Sequence, residues 1–435
     1  MLNACERRRD FSIIFWKNER AILVHHEHPQ KSQQPGALMR ALQIYLDSSD
    51  FSNLASPLQC TPERKAVKDF LVEMQESGRI QLRFSAIHVL EAAPVTSDAL
   101  MLASRRFETI QQLCGARALA HPLDLMKREI TAAEGDREMV HDDAFRDDGF
   151  WLPSILEPRN VLIDFKSMFS GEIFSLNRDE RRRFLKKGEP TDEARHIFRQ
   201  NIGSFVVELK KQLPLSRFTA NLVDQYYAGS IDYATVLNRV RRSITDLNDL
   251  AACCRERGEL AIPFSRELRE LGEELRQLID DSKRHLDIAL QPATAAGVPD
   301  KDVTRVISNT FKEAVGKKSG RLAKEIASEL IGKQIVPSNP WKSLPGLACN
   351  AMLIMHIARR SMILRQPRPP ASSDLPDALH AYYLPYVDVF RADAFMAGQI
   401  KECSFPFATT VVESFTMLPD VIKKMLERQE KEAEF

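Results

Sequence analysis

No sign of charge dominates this 435-residue chain, in which 61 Lys and Arg stand against 60 Asp and Glu. Without a global basic field, a protein that coats DNA is a poor reading, although a local basic groove remains open. The seven cysteines (Cys5, Cys60, Cys114, Cys253, Cys254, Cys349 and Cys403) form no CxxC pair and no His–Cys zinc spacing. An odd count without a framework points to reduced thiols and a cytoplasmic setting. Long apolar runs are missing too. Leu344 to Ala358 is the most apolar stretch, yet it is too short for a span and carries Asn350 and His356, so a buried helix is expected and no membrane partner. Phe11 to Val24 is interrupted by Lys17, Glu19 and Arg20 and has no small-residue cleavage site after it, which argues against a secretory signal. No regular repeat is visible.

What the chain does have is an α/β pattern at its two ends. Residues 1–39 read as a loosely ordered leader. In residues 40–94, Ala41 to Ala55 suggests a short buried strand, a turn and a helix start. Pro62 to Ser77 has helical spacing through Val67, Phe70, Leu71 and Met74, with Gly78 as its stop. Ile80, Leu82 and Phe84 alternate as a second strand, and Ser85 is placed to cap a helix bearing His88 and Glu91. This β-α-β-α order implies a parallel sheet with right-handed crossovers. Residues 95–366 read as amphipathic helices: Asp98 to Cys114, Asp192 to Leu213, Ile231 to Arg257, Ser265 to Leu290, Asp300 to Gly332 and Leu344 to Leu364. Pro292, Gly297 and Pro299 are expected to break the run between the fourth and fifth. After the proline-rich Arg365 to Pro370, the α/β pattern resumes through residues 367–435, with strands at Val387 to Arg391 and Thr409 to Ser414 and a last helix from Met417. The two end pieces together have the size of one compact domain, and neither has enough strands alone, so they are expected to share a sheet.

Four acids mark that shared domain: Asp47, Glu91, Asp377 and Asp393, each at a strand end or on the helix beside one. Open α/β sheets put ligands there. Converging carboxylates repel one another and are stable as anions only with a cation or bound protons, so such a set suits Mg²⁺ or Mn²⁺ and phosphodiester chemistry.

Four strings carry a family resemblance. IYLDSSDFSNLA is similar to the opening strand of PIN-domain ribonucleases, and FSAIHVLEA to their second element, a Glu on a helix after a short strand. PDALHAYYLPYVDVFRADAFMA resembles the third element and TTVVES the last strand, all in the family's order. The resemblance implies a PIN-like parallel sheet flanked by helices and interrupted by a large all-α insertion domain. It implies metal-binding, catalytic roles for Asp47, Glu91, Asp377 and Asp393, with Asp388 as a further metal candidate. Ser48 stands where the family keeps a hydroxyl beside the first carboxylate, within reach of substrate. The implied activity is hydrolysis of single-stranded or structured RNA. Arg359, Arg360, Arg365 and Arg368, just before the site strands, are the candidate backbone contacts. Ser49 and Ala392 depart from the family's usual residues, which keeps open an alternative: a decayed scaffold whose helical insertion binds a protein or RNA partner.

Overall fold

The computed structural model describes residues 40–162, 213–297, 299–363 and 368–433, with scattered positions between 164 and 210. The expected leader (residues 1–39), most of the expected helix 192–213, and Arg365 lie outside the described residues. Residues 40–435 form one compact unit.

The chain enters the sheet at strand β1 (Leu42–Tyr45), turns into helix α1 (Ser48–Ala55), and continues through α2 (Pro62–Glu76), β2 (Ile80–Arg83) and α3 (Ala86–Ala92). Thr61 caps α2, Pro62 occupies its first turn where no N–H is missed, and Gly78 takes the positive φ of 74° that reverses the chain into β2. The later strands are β5 (Val389–Arg391) and β6 (Thr410–Val412), with helices α12 (Asp374–His380), α13 (Ala394–Cys403) and α14 (Leu418–Ala433) around them. The sheet order is β2-β1-β5-β6, all parallel, with Tyr45 opposite Arg83 on one side and Phe390 on the other. The two ends of the chain therefore do build one sheet.

Its two faces bury different halves of the helical stretch. Leu42, Ile44, Leu82 and Val389 face a core completed by α4 (Leu100–Cys114), α6 (Arg217–Tyr227), α7 (Tyr233–Thr245) and α8 (Leu247–Glu256). Tyr45, Phe390 and the residues after α12 face a second core that includes Leu344, Leu353 and Ile357, the last two on α11 (Pro345–Ile363). Strand residues alternate between the two because side chains on a strand alternate faces.

Three details differ from the sequence reading. Residues after 94 are not helical throughout: β3 (Ala118–Leu119) adds to the sheet edge, Leu119 N–H donating to Phe84 O at 2.7 Å, and pairs antiparallel with β4 (Phe145–Arg146). Two-residue strands are too short to display alternation. Ile231 to Arg257 is two helices, because Asp246 ends α7 and accepts the Asn248 N–H to begin α8. Pro292 does not stop its helix, since α9 (Gly258–Ala295) runs through it before α10 (Asp300–Ile331). Helix α5 (Pro122–Glu134) follows β3 and shares the second core. Among the described residues no single helix is long and apolar enough to cross a membrane.

Candidate active site

In this sheet β1 lies between β2 and β5, so the chain leaves β1 toward one edge first and builds the other edge later. The crevice at the carboxyl ends of β1 and β5 is the switch point, where helix starts diverge and a ligand can enter. A pocket sits there, lined by Tyr45, Asp47, Asp377, His380, Arg391 and Ala392, among others.

Asp47 follows β1 directly and caps α1, its Oδ1 accepting the Ser49 N–H at 2.7 Å. Asp393 repeats the arrangement after β5, its Oδ1 accepting the Met396 N–H at 2.6 Å at the start of α13. Each aspartate thus has one oxygen tied to its helix, which fixes the carboxylate at the strand end. Glu91 reaches in from the last turn of α3 and Asp377 from α12. The Asp377 carboxyl is raised to about 8 by burial first and by the charges of Glu91, Asp393 and Asp47, with His380 opposing them. Glu91, Asp393 and Asp47 therefore each lie close enough to Asp377 to act on its charge.

A buried polar chain runs underneath. His380 Nε2 meets Glu91 Oε2 at 2.8 Å and Ser48 Oγ at 3.1 Å, and its Nδ1 meets the Tyr45 hydroxyl at 2.6 Å. The Tyr45 hydroxyl also meets Ser85 Oγ at 2.7 Å. Burial works against charge on His380, but the Glu91, Asp47 and Asp377 carboxylates outweigh it and raise the ring above its ordinary value. His88 behaves differently: its Nδ1 accepts the Ser85 N–H, so its Nε2 donates to Leu46 O at 2.9 Å. Burial, with His380 nearby, keeps that ring well below its ordinary pKa and neutral.

A second cation stands across the pocket. Arg391, at the end of β5, pairs through Nη2 with the buried Asp50 Oδ1 at 2.9 Å, and its Nη1 lies 3.7 Å from Asp47 Oδ2. Burial raises Asp50 to about 7, an effect that Arg391 limits. Among the described residues no three His, Cys, Asp or Glu side chains are arranged to hold a metal ion as they stand. His380 holds Glu91, and Asp47 and Asp393 each engage one oxygen as a helix cap.

The remaining predicted residues are spread out. Ser48 lies in the site, but its hydroxyl turns to His380 and not to Asp47. Asp388 does not join the acids. It precedes β5 at the opposite end of the sheet, about 13 Å of strand rise from Ala392, and there it accepts the Gln43 N–H at 2.7 Å and pairs with Arg40. Arg360 pairs with Glu402 at 2.8 Å, nine residues along α13 from Asp393 and thus roughly 13 Å of helix away. Arg359 is buried beside it. Arg368 is nearer the pocket, stacked 3.8 Å above the Phe395 ring and paired with Asp374 at 2.7 Å.

Sequence reasoning missed Arg391, Tyr45 and Ser85 as parts of the site. Arg391 had a signal: a cation two residues before Asp393 on an apolar strand, a spacing that puts both on one face. No protein-family model, curated protein or solved structure matches this chain.

Proposed function

We propose that this protein is a metal-dependent nuclease of PIN-like type that hydrolyses RNA, its sheet completed by the two chain ends and interrupted by the long helical stretch. The observation that carries this reading is the meeting of Asp47, Glu91, Asp377 and Asp393 at the switch point, with Asp377 raised to about 8 by burial and its acidic neighbours. At neutral pH such a carboxyl keeps a proton, whose place a bound cation would take, and among the described residues no hydrogen-bond donor reaches it. Four hard oxygen donors suit Mg²⁺ or Mn²⁺. Asp47, Asp377 and Asp393 would hold the ion, with Glu91 joining on release from His380.

When bound, the ion supplies a water nucleophile of lowered pKa and offsets the negative charge that develops on the phosphate. The chain's own residues do the rest. The helix caps keep Asp47 and Asp393 in place before any ligand arrives. His380, hydrogen-bonded on both ring nitrogens, positions Glu91 and Ser48 at the pocket. The test is incubation of single-stranded RNA with the full chain and Mn²⁺ or Mg²⁺. Cleavage that stops with EDTA and falls by about 10²-fold or more in Asp377→Asn is expected, since disturbing even the groups that orient metal ligands costs 10- to 100-fold.

A second reading has its own observation. Glu91 is satisfied by His380, and Asp50 and Asp47 face Arg391, so much of the acidic charge has internal partners. That supports a silent site on a scaffold that binds RNA or protein. RNA left intact in every condition, with no Mn²⁺ uptake by calorimetry, would favour it.

A further inference from the structure

A pocket rimmed by acids repels the phosphates that a nuclease must admit, so some group inside it has to attract them. Arg391, in the pocket lining, is a candidate for that group. Its side chain is only 10% exposed, and the ion pair with Asp50 at 2.9 Å uses one nitrogen, Nη2. Nε and Nη1 have no hydrogen-bond partner, although both are shut away from solvent. The 3.7 Å separation of Nη1 from Asp47 Oδ2 is too long for a hydrogen bond. Buried donors without partners are rare and costly, and their presence beside a pocket marks a place where a ligand supplies the acceptor.

We propose that Arg391 is the phosphate-binding residue of this pocket, with Asp50 fixing its guanidinium through Nη2 so that Nη1 presents an N–H group to a non-bridging phosphate oxygen. The inference rests on the nucleic-acid reading above and names which side chain holds the backbone at the reacting position. Arginine suits the task because its charge is permanent and its donors are rigidly spaced. The Arg391 contact is local, whereas Arg360 and Arg368 are already paired with Glu402 and Asp374.

The experiment measures affinity for a fluorescent single-stranded RNA oligonucleotide by anisotropy in EDTA, and in parallel Mn²⁺ affinity by calorimetry, for the full-length wild type and Arg391→Gln. Loss of a charge-assisted hydrogen bond to phosphate is expected to weaken RNA binding by about tenfold or more. Because Arg391→Gln strands the buried Asp50, the double variant Asp50→Asn/Arg391→Gln is measured beside it, and thermal melts select the folded form. RNA affinity equal to wild type in either folded variant overturns the proposal. So does tighter Mn²⁺ binding with unchanged RNA binding, which would make Arg391 a counter-ion to the acids. The nuclease reading fails separately: wild type that binds RNA and never cuts it, with binding lost in Arg391→Gln, removes catalysis and keeps the phosphate site. Wild type that neither binds nor cuts RNA removes both.

Discussion

At the scale of the residue, His380 shows how one side chain organises a site. It is buried and yet its pKa is raised, because the carboxylates around it outweigh desolvation. Its three hydrogen bonds link β1, α1 and α3 to α12, elements that lie far apart in the chain. His380→Ala leaves the Tyr45 hydroxyl short of a partner and Glu91 without its cation. The expected cost is about 1–3 kcal/mol, the usual penalty for unsatisfied buried polar groups. A lower urea midpoint with an unchanged m-value would register it; an unaltered midpoint would mean the network adds nothing to stability. Glu91 was legible beforehand as a site residue, whereas its histidine partner was legible only as a neighbour in sequence to Asp377.

At the scale of the element, the long buried helix α11 is held at its N-terminus by a carboxylate from elsewhere. Glu129 of α5 accepts the Gly346 N–H at 2.8 Å and the Leu347 N–H at 3.1 Å, and the hydroxyls of Tyr382 and Tyr386 close on the same carboxylate. Those N–H groups have no partner within their own helix, and the helix dipole favours a negative charge there. Gly346 is required by closeness: a Cβ would lie 2.7 Å from Glu129 Oε1 and overlap the Tyr382 ring. Gly346→Ala is therefore expected to destabilise by about 1–3 kcal/mol, as overpacking does. Calorimetric melting that matches wild type would show that α11 can shift at no cost. The apolar spacing of residues 344–364 announced a buried helix, but nothing in it announced Glu129, because a cap from 217 residues away leaves no periodic mark.

For the whole molecule, the consequence is a stability that depends on pH. Burial raises Glu129 to about 7 even though four hydrogen bonds favour its anion, and Asp50 is raised to about 7 as well. The folded chain thus keeps protons that the unfolded chain releases. This contribution is fully present below the ordinary carboxylate pKa and is lost as pH rises through about 7. For the fully buried Glu129 it is on the order of 3 kcal/mol. Urea midpoints are expected to fall between pH 5 and pH 8, and Glu129→Gln to flatten part of that slope; a parallel decline in the variant would assign the effect elsewhere. The helices between residues 95 and 366 matter at this scale too, since they cover both faces of the sheet and supply β3 at its edge.

Local chemistry was enough to read β1, β2, β5 and β6 and the cap at Ser85, because apolar alternation, caps and stop signals act over a few residues. Pairing across some 350 positions, the small strands β3 and β4, the shared cores and the places of Arg391 and Asp388 came only with the folded chain. A strand's neighbours and the end of the sheet at which an acid lies are set by crossover and register, which depend on packing between distant segments. That is why Asp388 looked like a companion of Asp393 and proved to sit at the opposite end of the strands.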